Sequence, residues 1–393
     1  MSGRGKPCPF LPACVNILHI PSRVAVTMNQ ATSGTILIAD ISGYTLFLSQ
    51  SELEHAQEIL STLLELLITR TRPPLVLSRT AGDAVISYTL GDPNLLGQTF
   101  VELLEDSYVA FRQAIEVMVL NNTCRCAACA NVAGLDLKFF VHHGQFAIQK
   151  LGGHDELVGS DVNLIHRLLK NRIVETTGIR AYTVYTATAV DALGLGEMVE
   201  TMTPHAEAYE HLGETQLYVQ DMEPVWAARR DSAGVDILAG EVLVSVERAF
   251  ALPPHLLWDA LSRPEHRAPL LGAISQTIGK KEGGRIAPGT EIHCDHGNHI
   301  TRSRILTWRP FEMMLSEDTT PVPGTTCLVR LRLTPMDGGT CLELAVSRGR
   351  GNPLARRLMN QVARRTLPTS LAAGLEQLQM SLAAVGDSPP HPS

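Results

Sequence analysis

The chain has 393 residues, enough for two sizeable domains of roughly 150 residues each and short for three. Hydrophobic residues make up 45% and charged residues 19%, which excludes wholesale disorder, and the net charge of −7 argues against a general nucleic-acid binder. That charge is uneven: residues 1–234 hold 16 basic and 25 acidic side chains and residues 235–393 hold 17 and 15, which fits two domains with different partners.

Residues 1–33 are rich in Pro, Gly, Ser and Thr and contain Met28; they read as a flexible arm, or as an over-long start with Met28 as the natural beginning. The opening MSGRGKPCPFLPAC lacks the continuous apolar segment of a signal peptide, and no apolar run nears the ~18–20 residues of a membrane span. The eight cysteines are too unevenly spread for a disulfide framework, so the expected location is cytoplasmic, with reduced thiols.

A first domain is expected over 34–222. ILIADI predicts a buried strand ending in a Ser-Gly turn, and SELEHAQEILSTLLELLITR an amphipathic helix stopped by Pro73 and Pro74. LVLSR and AVISYTL, joined at Ala81-Gly82, predict a hairpin, and QTFVELLEDSYVAFRQAIEVMVL a second helix. After a Cys-rich connector, LDLKFFVHHGQFAIQKLGG predicts a second hairpin and DVNLIHRLLKN a third helix. Strands and helices mix without strict alternation, which predicts an α+β sheet with helices on one face. Residues 223–240 (EPVWAARRDSAGVDILAG) read as a linker. The second domain, 241–385, predicts a strand (VLVSVERAFAL), a short helix, several strands and a long terminal helix interrupted near Pro368, before a disordered tail at 386–393.

Two carboxylates carry the first chemical signal. Asp40 ends the first strand and Asp83 sits in the turn of the next hairpin, so neighbouring strands would project both from one sheet edge. Hard oxygen ligands there suit Mg²⁺ or Mn²⁺ with substrate phosphates completing the shell, although Asp is also a common turn former. Backbone N–H groups of Ile41, Ser42, Gly43, Tyr44 and Thr45, opening a helix, could cradle a polyphosphate.

At this point ILIADISGYTLFL resembles the first-strand motif of class III adenylate and guanylate cyclases, and RTAGDAVISY resembles their second metal motif. FVHHGQFAI is similar to their strand-turn segment, and LVGSDVNLIHRLL to their Gly-x-x-Val-Asn-x-x-x-Arg helix. The resemblance, in the family's order over residues 35–220, implies a ferredoxin-like cyclase domain that makes cyclic nucleotide from a nucleoside triphosphate. It implies that Asp40, Asp83 and the Ile41 carbonyl hold two divalent ions, that Asn163 orients the ribose, and that Arg167 stabilises charge on the α-phosphate. It further implies a homodimer with two shared sites. Four residues before Asp83, where adenylate cyclases usually carry a base-reading Lys, stands Arg79; seven before Asn163, where they carry Asp, stands Glu156. This basic and acidic pair favours adenine over guanine, although Arg does not simply replace Lys. YEHLGETQLYV lacks the family's late, triphosphate-gripping Lys.

Cys124, Cys126 and Cys129 give C-x-C-x-x-C, which could bind Zn²⁺ with Cys8, Cys14, His142, His143 or His154 as fourth ligand; plain reduced cysteines are the commoner outcome. The second domain resembles the helix-grip fold of the START-like (SRPBCC) superfamily, on VERAFALPPHLLWDALSRPEH and ILTWRPFEMML. That resemblance implies an apolar cavity for a hydrophobic small molecule, with Leu354, Leu358, Met359 and Val362 as candidate lining or plain core. Alternation in EIHCDHGNH puts His293 and Asp295 on one face and Cys294 and His296 on the other, against a single metal. Arg356, Arg357, Arg364 and Arg365 read first as a solvated helix face. The expected function is an adenylate-cyclase-like enzyme fused to a ligand-binding domain. The alternatives are a non-catalytic nucleotide-binding sensor or scaffold, and a lipid- or polyketide-binding protein with a regulatory cyclase-like domain.

Overall fold

The apolar run beginning at Ile36 forms the middle of β1 (Thr32–Ser42) in the computed structural model, which describes residues 31–91, 95–120, 127–151, 154–231 and 235–386. Ile36, Leu37, Ile38 and Ala39 are all buried, so both faces of the strand are covered. After β1 come α1 (Tyr44–Ser49), α2 (Leu53–Thr71), the hairpin β2 (Val76–Ala81) and β3 (Ala84–Tyr88), and α3 (Gly97–Leu120). Then follow α4 (Ala127–Asn131), β4 (Asp136–Leu151), β5 (His154–Val158), α5 (Ser160–Leu168), α6 (Ile173–Thr177) and β6 (Tyr182–Thr186). The first lobe closes with α7 (Ala187–Leu193), β7 (Thr203–Tyr209), β8 (Gly213–Asp221) and α8 (Glu223–Asp231). Its sheet runs β2-β3-β1-β4-β6-β8-β7 with β5 on β4, antiparallel apart from the parallel pair β4 and β6.

Three expectations need correction. Helices do not lie on one face only: α2 and α3 pack on Leu37, Ala39 and Ile41, while α5 packs on Ile36 and Ile38. A strand apolar on every residue is the signature of this double cover. DLKFFVHHGQFAIQKL is not a hairpin but one strand, β4, antiparallel to β1 over its first part and to β5 over its last. The linker expected at 223–240 begins as α8, whose Trp226 is buried in the first core.

The second lobe holds β9 (Val242–Phe250), α9 (Pro254–Ser262), α10 (Pro264–Leu270), β10 (Ser275–Ile278), β11 (Glu291–Asp295), β12 (Ile300–Arg309) and β13 (Met313–Thr319). It ends with β14 (Thr325–Met336), β15 (Gly339–Ser347), β16 (Arg350–Gly351) and α11 (Pro353–Gly386). An antiparallel sheet, β10-β11-β12-β13-β14-β15-β9, wraps α11, which contributes Met359, Ala363, Leu371, Leu375 and Leu378 to the core. Pro368 sits inside α11 without ending it, on the exposed side. The four paired arginines of α11 are exposed. Both lobes are thus α+β, and no helix among the described residues is long and apolar enough to cross a membrane.

The lobes meet through α3. Glu102, 1% exposed, accepts hydrogen bonds from Trp258 Nε1 at 2.9 Å, Trp308 Nε1 at 2.7 Å and Gln98 Nε2 at 2.8 Å. One turn on, Glu105 takes two N–H groups of Arg285, both at 2.7 Å. Asp259 accepts the Leu96 N–H at 2.8 Å.

Burial raises the Glu102 carboxyl to about 7 from its ordinary 4.5, against the pull of Arg285, Gln98 and Trp308. The folded chain then keeps a proton that the unfolded chain releases. Stability present below about pH 4.5 is therefore lost as pH climbs through about 7. Glu102→Gln is expected to remove that slope. Because a carboxamide cannot accept at both ends, it should also lower stability near pH ~8 by about 1–3 kcal/mol. Urea unfolding across this pH range checks it; a parent-minus-variant difference that stays flat with pH contradicts the assignment.

Candidate active site

Asp40 faces Ala84 of β3 and Lys138 of β4 across the ladders at the end of β1. The β2–β3 hairpin turns through Gly82, whose φ of 64° is in the left-handed region, and Asp83. The Ile41 N–H donates to the Asp83 carbonyl at 3.1 Å, which ties the hairpin turn to the strand end. Burial pushes the Asp40 carboxyl up to about 6, the neighbouring Asp83 adds to this, and Lys138 pulls it back. Burial also raises Asp83. Asp83 thus opposes ionisation of Asp40, an opposition that a divalent cation would relieve, and hard carboxylate oxygens of this kind suit Mg²⁺ or Mn²⁺.

Beyond Asp40, Ser42 ends β1 with its hydroxyl buried and unpartnered, and Gly43 caps α1 in the left-handed region at φ 85°. A Cβ at Gly43 would lie 2.8 Å from the Gly134 carbonyl, so the turn leading to Tyr44 and Thr45 requires glycine.

The second group of residues stands on α5. Val162, Ile165 and Leu168 bury one side of this helix, leaving Asn163 and Arg167, four apart, exposed on the other. Together with Lys170 and the β7–β8 tip at Glu210–Leu212 they line a pocket of about 460 Å³. Asp161 fixes the helix to β4: it accepts the Gln145 N–H at 2.6 Å and lies 3.4 Å from His142 Nε2, whose Nδ1 meets Thr186 Oγ1 at 2.9 Å. Arg79 and Glu156 are paired at 3.1 Å, where β2 passes β5 and Ser78 Oγ donates to the Asp155 carbonyl at 2.6 Å. His166 sits close enough to feel both; burial first, then Arg79, lowers its pKa, and Glu156 opposes them.

The chain therefore gathers its candidate residues into two groups. Asp40, Ile41 and Asp83 share one sheet end, while Arg79 and Glu156 are joined through His166 to the helix of Asn163 and Arg167. Neither Asp40 nor Asp83 lines the pocket of Asn163 and Arg167. Sequence reasoning missed His166, Lys170 and the Asp161 clamp. Lys170 had a usable signal, since it follows Asn163 by seven residues, just past the end of α5.

Cys8, Cys14, Cys124 and Cys126 lie outside the described residues, as do the side chains of Cys129 and His154. Among the described residues, no group of three or more His, Cys, Asp or Glu is arranged to hold a metal ion. On β11, Cys294 is buried and His293 exposed, as alternation predicts.

Residues 241–382 match the family described as polyketide cyclase / dehydrase and lipid transport. Residues 60–177 match one described as protein of unknown function (DUF2652). A Mycobacterium tuberculosis protein described as uncharacterized, Rv2561/Rv2562, is 34% identical over 113 residues, or 28% of this chain and 50% of that protein. The chain thus spans about half the length of that curated relative. Among solved structures, the adenylyl cyclase CyaB from P. aeruginosa is 16% identical with a TM-score of 0.35, over 49% of this chain and 94% of its own. The guanylyl cyclase Cya2 is 17% identical with a TM-score of 0.37, over 49% and 93%. Protein MLL2253 from Mesorhizobium loti is 24% identical with a TM-score of 0.28, over 34% and 94%. At such scores the functional reading rests on the site's own residues.

Gly144, inside β4, lies where an added Cβ would overlap the Asp161 carboxylate. Gly144→Ala is therefore expected to push α5 off the sheet and lower stability by about 1–3 kcal/mol. Chemical denaturation measures this; an unchanged midpoint would mean that Asp161 does not clamp the helix.

Proposed function

We propose that the first lobe is a class III nucleotidyl cyclase that converts ATP to 3′,5′-cyclic AMP and pyrophosphate at sites shared by two copies of the chain. The observation that carries this reading is the separation of the two groups. An acidic pair stands at one sheet end, and an Asn/Arg helix with an Arg/Glu pair stands apart from it, each half incomplete by itself. A head-to-tail pair of chains joins the half of one copy to the complementary half of the other.

Asp40, Asp83 and the Ile41 carbonyl would hold two divalent cations, which acidify the 3′-hydroxyl and neutralise the departing pyrophosphate. The remaining roles fall to side chains of this chain. Asn163 holds the ribose so that its 3′-oxygen lies in line with the α-phosphorus. As the new P–O bond forms and the bond to the bridging oxygen breaks, the Arg167 guanidinium offsets the charge on the α-phosphate oxygens. Arg79 donates to a ring nitrogen and Glu156 accepts from an exocyclic amine, which favours adenine. The β7–β8 tip has no lysine, and Lys170 brings a second cation to the Arg167 pocket instead.

The second lobe is read as a sensor for an apolar small molecule, supported by its family match and by the cavity under α11. Met359 and Val362 line that cavity; Leu354 and Leu358, also expected there, are 76% and 55% exposed and do not. Occupancy would reach the first lobe through Trp258 and Trp308, which hold Glu102 of α3.

A second reading, a nucleotide-binding sensor without turnover, is favoured by the Arg79–Glu156 pair, in which the two base-reading candidates engage each other. The deciding assay is product formation from ATP and GTP with Mg²⁺ or Mn²⁺, in the parent, Asp40→Ala and Arg167→Ala. Cyclic AMP is expected from the parent and neither variant. Mixing the two dead variants should recover about a quarter of the parental rate, since random pairing leaves half the dimers with one intact site. ATP binding without either cyclic nucleotide would establish the sensor.

A further inference from the structure

The cavity beneath α11 has a volume of about 250 Å³, and Val329, Leu344, Val346, Met359, Leu367 and Leu371 supply its apolar wall. One carboxyl lines it, that of Asp318 near the end of β13. The cross-strand register sets Asp318 between Ser303 of β12 and Cys327 of β14, both buried. Asp318 Oδ1 is itself buried and has no hydrogen-bond partner. The Ser316 and Ser303 hydroxyls are near enough to draw the carboxyl partway down against the burial that raises it. Even so, Ser303 Oγ and Asp318 Oδ1 both lack a partner of proper geometry.

Behind this carboxyl lies Arg267, 4% exposed, with its Nε also unpartnered. It stabilises negative charge on Asp318 from a distance, and no ion pair joins the two among the described residues. The other polar groups at this end are already engaged. His296 spans the Gly272 carbonyl and Thr301 Oγ1 at 2.9 and 3.1 Å, Thr319 Oγ1 accepts the Arg302 N–H at 2.8 Å, and Thr320 bonds within its own turn. An apolar pocket thus ends in a single carboxyl, whose Oδ1 is closed off and whose other oxygen is left to meet a ligand. A buried acceptor left unpaired is expensive, and a donor delivered by a ligand removes that penalty.

We propose that this cavity selects small apolar molecules that carry one hydrogen-bond-donating head, a hydroxyl or an ammonium, and seats the head on Asp318. The inference rests on the reading of the second lobe as a ligand-binding lobe and specifies what it binds. A molecule of equal size with only acceptor atoms would cover the Asp318 carboxyl without a donor and bring its own lone pairs against it, so it should bind about ten- to a hundredfold more weakly.

Full-length protein titrated calorimetrically with n-octanol, n-octylamine and heptyl methyl ether tests this, the ether being an isomer of the alcohol that lacks a donor. The alcohol or the amine, or both, are expected to bind at least about tenfold more tightly than the ether. Whichever is preferred identifies the head as hydroxyl or ammonium. Asp318→Ala should abolish the preference by weakening the donor probes while leaving the ether unchanged. If Asp318→Ala does not fold, the comparison of alcohol with ether in the parent decides alone. Equal binding of all three probes would overturn the inference and leave a ligand-binding lobe standing. Binding of none would overturn both.

Discussion

Glu102 has to satisfy a buried carboxyl group, protonated below about pH 7 and charged above it. Its carboxylate lies at the boundary of two hydrophobic cores, and its acceptor sites are filled by two indole N–H groups from the second lobe and an amide from its own helix. Breaking any of these leaves a charge or a donor stranded in a low-dielectric join, so the groups hold or fail together. The same helix is shared by both cores: Phe100, Leu104 and Phe111 pack into the first, and Leu103 into the second. Trp258 and Trp308, 4.8 Å apart at their ring centres, are held edge to face above the carboxylate. The polar join therefore fixes α3 in register with α9 and β12, and α3 in turn supports the sheet that carries Asp40.

How much of this the sequence disclosed depends on the range of the forces involved. Local pattern sufficed for β1, α2, α3 and α5, because apolar periodicity is written into neighbouring residues. It failed where one residue type serves two purposes. Gly144 looked like a turn residue, but in β4 it admits the Asp161 carboxylate, a contact made by a residue seventeen positions on. Residues 223–231 fell within the expected linker, yet Trp226 anchors them as α8. Pro368 looked like a break, but α11 carries it through on an exposed face. Nothing local to Glu102, in VELLEDSY, announces that tryptophans more than 150 residues away will bury it.

The candidate site shows the same division. Asp40, Asp83, Asn163 and Arg167 were legible because their motifs are short and their spacing is local. That they divide between two half-sites was implied by the resemblance alone; the structural basis of the division, the sheet order and α5 crossing the face opposite α2 and α3, was not legible. The departures at Arg79 and Glu156 were visible, but their pairing depends on β5 folding back beside β2. Lys170 follows Arg167 by three residues and lines the same pocket.

The cavity and the acidic pair are linked by continuous packing. Val346, Met359 and Leu371, which wall the cavity, belong to the core that includes Trp258, and Trp258 holds Glu102. Beyond Glu102, Phe100 and Leu104 of α3 press on the face of β1 that carries Ala39 and Ile41, flanking Asp40. Packed cores shift between discrete arrangements rather than deform smoothly, so such a path can carry a change only if the lobes have two positions of similar free energy. Regulation then requires that the ligand prefer one of them, and the effect on turnover is bounded by that preference. A molecule that seated equally well in both arrangements would leave the first lobe unchanged however tightly it bound.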